Sequence, residues 1–189
     1  MKRISIVSGM LLLAGVLSGA ERDMARELDE VARAATVMVD GDACQRIVTL
    51  RALEYMFKKD PHDQWVDGDN YELNDQAFIA VKKTLIRLSR LAPFPCDVNL
   101  WMPIAGHPDK VRVVIRNAHE ISQFWPWGKL YQDMIPQMKQ VLDTGRRMTV
   151  TAKPGWISVL APVHNSLGDI VALVEAVSQT RLDAHENVK

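Results

Sequence analysis

The stretch GWISVLAPVHNSLGDIVALVEAVS, Gly155 to Ser178, constrains the fold more than any other part of the chain. Two apolar runs flank the polar turn HNSLGD, the pattern of a β-hairpin. Trp156, Ser158 and Leu160 share one face of the first strand, and Ile157, Val159 and Ala161 share the other. In the second strand Val171 and Leu173 oppose Ile170, Ala172 and Val174, so both faces are apolar again. Strands of this kind are covered on both sides, which places the hairpin at the centre of a layered domain. Pro162 removes a backbone donor near the end of the first strand and limits pairing there.

The residues before the hairpin supply more strands. DVNLWMPI, from Asp97, alternates Val98, Leu100 and Met102 against Asn99 and Trp101. KVRVVIRN alternates Val111, Val113 and Ile115 against Arg112 and Arg116, with AGHPD as the turn between the two runs. A loop with Phe124, Trp125, Pro126, Trp127 and Gly128 follows. A short helix is predicted to begin at Pro136, where a missing N–H costs nothing, and to stop at Gly145. RMTVTA completes a set of about five antiparallel strands.

The first half is helical. Met24, Leu28, Val31, Ala35 and Met38 form a stripe at helical spacing, and Arg22, Arg26, Glu27, Glu30 and Arg33 occupy the other faces. The stripe fits a helix lying on its own domain and equally the seam of a homodimer. Asp40-Gly41-Asp42 interrupts it, as a bend or within a continuing helix, before Ile47, Leu50, Leu53 and Phe57. Lys58 to Asn74 reads as a surface loop, with Asn74 as the cap of a helix carrying Phe78, Val81, Leu85 and Leu88. Ala92-Pro93-Phe94-Pro95 ends that helix. The fold class is α+β: one domain of N-terminal helices followed by an antiparallel sheet.

The N-terminus is expected to direct export. Lys2 and Arg3 precede the uncharged, mostly apolar run Ile4–Leu17, and Ser18-Gly19-Ala20 offers small residues for cleavage before Glu21. Cleavage removes two of 23 basic residues, leaving 21 against 23 acidic. The alternative is an uncleaved anchor, since Ile4–Ala20 reaches the short limit of a membrane span. The division is thus 1–20 signal peptide, 21–92 helical segment, 93–178 sheet and 179–189 tail. The near-zero net charge offers no basic surface for nucleic acid. In an oxidising compartment Cys44 and Cys96 are open to two readings, a disulfide or two buried thiols.

The pattern Trp156-x-x-x-x-Ala161-Pro162-Val163-x-x-x-x-Gly168-Asp169-Ile170-Val171-Ala172-Leu173 resembles the closing hairpin of extracytoplasmic Cache domains. These are PAS-like sensors found outside bacterial histidine kinases, chemoreceptors and diguanylate cyclases. AATVMVDGD is similar to the helix segment before such domains, NLWMPIAG…VRVVIRN to their first hairpin, and WGKLYQDMIPQMKQVLDTG to the connection that follows. The resemblance covers roughly Arg33 to Val177. It implies a single PAS-like sheet, a long N-terminal helix, and a small-molecule pocket between the sheet and the loop before it. Ala176-Val177 stands where many relatives carry an aspartate, and no transmitter domain follows, so signalling through a membrane-bound partner is expected.

Small-ligand pockets are mostly apolar and aromatic with a few placed polar groups. Trp101, Trp127 and Trp156 are the aromatic candidates for the pocket, and Arg116, Tyr131 and His164 the polar ones. His62, His107, His119 and His185 form no HExxH pair, and Asp67, Asp69 and Glu72 lack EF-hand spacing, so neither metal nor cofactor is expected. No nucleophile elbow, P-loop or paired-carboxylate signature appears, so the chain is not expected to be an enzyme. The reading is an exported Cache-like sensor that binds a small molecule; the alternative is a protein-interaction module whose Met24–Met38 stripe binds another chain.

Overall fold

The computed structural model describes residues 19–58, 75–125 and 129–180. Residues 1–18 of the expected signal peptide, the expected loop from 59 through Asn74, Trp127, and the expected tail from 181 lie outside the described residues. The Met24–Ala35 periodicity becomes helix α1, Gly19–Met38, whose Leu28, Val31, Ala32 and Ala35 are buried. They pack on the sheet of their own domain, in one core with Val159, Ala161 and Val174. This is the reading of a helix lying on its own domain; of the stripe, the C-terminal end, Met38 with neighbouring Val37, is exposed.

Asp40 ends the uncertainty about the bend. Its side chain accepts from the Ala43 N–H at 3.0 Å and caps a new helix, α2, Gly41–Ile47. Gly41 is required here because a Cβ would sit 2.2 Å from the backbone oxygen of His164, so α2 butts against the turn of the closing hairpin. Asp42 fixes the same contact by accepting from the N–H and hydroxyl of Ser166. After Val48-Thr49 come α3, Leu50–Lys58, and then α4, Asp75–Ser89.

The sheet has six strands rather than about five: β1 Asp97–Ile104, β2 His107–Ile115, β3 Gln132–Asp133, β4 Met148–Val150, β5 Trp156–His164 and β6 Ile170–Gln179. Their order is β3-β2-β1-β6-β5-β4. The added strand is the two-residue β3, too short to show any periodicity. Helix α5, Pro136–Thr144, starts on its proline and ends at Gly145, whose φ of 67° is the left-handed stop expected of it. The closing hairpin is central and buried on both faces as its residues require. Pro162 is tolerated because β4 pairs only with Ser158–Leu160 and leaves the outer side of Pro162 without a strand.

Two faces result. On one, Val98, Leu100, Ile157, Val159, Ala161, Val163, Ala172, Val174 and Ala176 meet α1, α2 and α4 in an apolar core. On the other, Trp101, Val111, Leu160 and Leu173 pack with Met138 and Val141 of α5 and with Phe124 and Trp125. A register shift between Leu100 and Trp101 changes the phase of β2. Ile115 therefore joins the helical-face core with Val114 instead of staying with Val111 and Val113. Cys44 and Cys96 both belong to the helical-face core, where they stand as buried free thiols. Burial pushes both thiols up to about 12.

Candidate functional site

The α5 face carries a polar seam that the residue pattern does not suggest. Asp97, Asn99 and Glu175 stand on this face of β1 and β6, and Asn99 lies directly opposite Glu175. All three are buried, Asp97 and Glu175 completely. Charges so placed are costly unless every oxygen is satisfied. The connection between β2 and β3 satisfies them. Asp97 accepts from the backbone N–H groups of His119 and Ile121 at 3.1 and 3.0 Å and contacts His119 Nδ1 at 2.8 Å. Asn99 accepts from Asn117 N–H and donates to the Ile121 carbonyl. Glu120, between the two amides held by Asp97, takes a left-handed φ of 53°.

Glu175 gathers the other end of that connection. Trp101 Nε1 donates to it at 3.0 Å, Ser122 Oγ at 2.6 Å, Ser158 Oγ at 2.8 Å and Gln123 N–H at 3.2 Å. Burial raises its pKa, and these donors pull the other way. Gln123 extends the seam by donating to Ser158 Oγ and the Val150 carbonyl while accepting from Lys153 N–H. The groups satisfy one another, so the seam laces residues 117–123 onto the sheet.

Five of the six expected ligand residues are described, and the structure does not bring them together. Trp101 is buried and spends its N–H on Glu175. Arg116 stacks on Trp125 with its guanidinium carbon 4.3 Å from the ring centre. Trp156 is covered by the Lys153 ammonium at 4.0 Å. His164 is exposed at the end of β5. Tyr131 packs on Ala52, Ile104 and Leu130, and Trp127 lies outside the described residues.

An open pocket of about 390 Å³ lies on the helical side, at one end of the sheet. Helix α2 supplies Gln45, the α2–α3 connection Val48, and α3 Leu50 and Leu53; the β1–β2 hairpin supplies Met102, Pro103, Ile104 and Arg112; β6 supplies Ile170 and Val171. None of the five described candidates lines it. Tyr131 comes nearest, since Val48, Leu53 and Ile104 of the pocket wall also belong to its cluster.

Irregular pairing explains why the sheet opens here. Ladder register shifts between Pro103 and Ile104 in one hairpin and between Val163 and His164 in the other. The second shift leaves Val171 between the paired residues Ile170 and Ala172. Bulges bend a strand and re-aim its side chains, and these two flank the same end. Arg112 lines the pocket although only 3% exposed. Strand alternation in the sequence sets it opposite the apolar residues of β2, a position that in a sheet covered on both sides is also interior.

No protein-family model matches the chain, and no curated protein matches it. Among solved structures it is similar to the GAF domain of A. aeolicus nlh2 in an inactive state, with 9% identity and a TM-score of 0.40. That match covers 69% of this chain and 78% of the other. The likeness is too distant to bring a function with it.

Proposed function

We propose that this chain is an exported, Cache-like sensor domain that binds a small molecule and relays its occupancy to a membrane-bound signalling partner. The observation that carries the binding half is the pocket at the bulged end of the sheet, whose volume falls in the range of small-ligand sites. Its walls come from α2, α3 and their connection, the first hairpin and the start of β6. A ligand there touches the helical layer and the sheet together, so it favours whichever arrangement of the two it fits better. The partner reads that shift. Support for export and for the partner comes from the basic–apolar–small N-terminus and from the ordered Cache-like motifs. No described helix is long and apolar enough to cross a membrane. The domain is proposed to act by binding, without catalysis.

Native mass spectrometry of the full chain, expressed in a bacterium and recovered from the periplasm, tests both halves. The expected result is a protein beginning at Glu21 with a reproducible extra mass that disappears on denaturation. A protein retained in the cytoplasm with its first residues intact removes export. A clean apo mass, together with no thermal shift across a metabolite panel, removes the sensor.

A further inference from the structure

We infer that the outer face of α4 docks on an anionic lipid bilayer, with its aliphatic side chains at headgroup depth and its cations among the phosphates. This goes beyond the sensor reading and stands whether or not the pocket is filled. Charge is unevenly spread over the protein. The chain is neutral overall, with 23 basic and 23 acidic residues, yet no acid occurs between Gln76 and Cys96, where Lys82, Lys83, Arg87 and Arg90 all fall. On α1 the two signs mix and pair off, Arg26 with Asp23 and Glu27, and Arg33 with Glu30. Among the described residues no carboxylate pairs with any of the four cations of the α4 stretch, and Lys82 lies instead over the Phe78 ring at 5.4 Å.

Helical spacing sorts the side chains of α4. Ala77, Val81, Leu85 and Leu88 are buried against the domain. Ile79, Lys83, Ile86 and, just past the helix end, Arg90 recur at spacings of 4, 3 and 4 on the opposite side. Ile79 is 49% exposed and the following Leu91 59%, while Lys83, Arg87 and Arg90 are exposed and Ile86 is half-buried. The helix dipole accounts for Arg87 and Arg90 at the C-terminal end, but not for Lys82 and Lys83 in the middle. Nucleic acid fits this face poorly, since its phosphates reward the cations and leave Ile79 and Leu91 idle. An anionic bilayer rewards both: the phosphates attract the cations, and the aliphatic tips leave water at the acyl boundary.

The test is flotation of the full chain with vesicles of phosphatidylcholine alone and of phosphatidylcholine with phosphatidylglycerol in equal parts. The readout is the ratio of the two partition coefficients, anionic over neutral, in which the charge-independent pull of the apolar run Ile4–Leu17 cancels. The expected ratio is about a hundredfold and falls toward one as salt rises. A cation near such a surface contributes roughly fivefold, so Lys83→Gln with Arg90→Gln is expected to lower the ratio at least tenfold. Arg26→Gln with Arg33→Gln removes the same charge from α1 and is expected to leave the ratio unchanged. Ile79→Ser is expected to weaken binding to the anionic vesicles about threefold with its salt dependence intact. All five positions are exposed, so an unmoved melting temperature shows that each variant is folded. A ratio near one overturns the assignment. An equal loss from the α1 pair also overturns it, because net charge and not the α4 face then draws the chain to lipid. Self-association in sedimentation velocity that Lys83→Gln with Arg90→Gln abolishes, without selective flotation, gives the face to a second copy and overturns it too. None of these outcomes touches the pocket, which the native spectrum decides separately.

Discussion

The two faces of the sheet are built on different principles. The helical face is sealed by aliphatic side chains of α1, α2 and α4, held by area removed from water and indifferent to direction. The α5 face has its own apolar cluster, but beside it the connection 117–123 is tied down by Asp97, Asn99 and Glu175 through bonds with fixed geometry. The consequence is a division of labour. A non-directional contact can leave a gap at its margin without orphaning a polar group, and the pocket lies on that side. A directional seam cannot open halfway, because each unpaired buried group costs about 1–3 kcal/mol.

The largest expected effect breaks the seam. Glu175→Ala leaves Trp101 Nε1 and Gln123 N–H without an acceptor, whereas the hydroxyls of Ser122 and Ser158 can turn elsewhere. Two obligate donors at that rate put the loss near 4 kcal/mol in urea unfolding. Hydrogen exchange should accelerate at the amides of His119, Ile121 and Gln123 before those of α1. Leu28→Ala, the matching change on the helical face, is expected to cost about 3 kcal/mol and to spare those amides. If it loosens them equally, the faces are not independent.

Gly41→Ala probes the junction beside the pocket. Its methyl would meet the His164 carbonyl, so α2 must move, at about 2 kcal/mol. Thermal unfolding gives the number, and an unshifted midpoint would mean that α2 is not seated on the hairpin turn.

pH separates the faces by sign. Burial lets folded Glu175 keep its proton to higher pH than the unfolded chain does. Its contribution is therefore complete below about pH 4, the ordinary glutamate value, and is lost as pH rises through the raised folded value. The stability difference between the natural chain and Glu175→Gln should shrink as pH rises, while that for Leu28→Ala stays flat. A Glu175→Gln difference that grows with pH would show that the seam favours the charged carboxylate. Smallest is Arg147→Ala, which removes a two-point ion pair with Asp29 of α1 at 2.8 and 3.0 Å. Both side chains are a third or more exposed, so the expected loss is under ~1 kcal/mol and fades in salt.

The same contrast decides what the sequence discloses. Features that repeat at a fixed spacing were legible: the α1 stripe, the doubly apolar hairpin, β1, and the start and stop of α5. The break at Asp40 was located but not resolved, because a lone glycine inside a helix is affordable and only contact with His164 shows why this one is needed. The seam is not periodic. It joins Asn99 to Glu175, 76 positions apart, and its only local sign is one acid inside the apolar run IVALVEAVS. The pocket was expected between the sheet and the loop before it, whereas the cavity found is walled by α2, α3, the first hairpin and the start of β6. Its place depends on two bulges, and alternation set its charged residue, Arg112, only on the face opposite Val111 and Val113.

The strand order carries a consequence for how the protein is made. β6 lies between β1 and β5, and α1 packs on the β5–β6 pair. The element that completes the centre is therefore the last of the described strands in chain order. Until it arrives, β1 lacks its inner neighbour and α1 lacks part of the sheet it packs on. Closure waits on contacts between distant parts of the chain, the slow class of folding event. A polypeptide that cannot close its sheet before β6 is made stays threadable for that long, which suits the export proposed above, and it exposes aggregation-prone strands meanwhile.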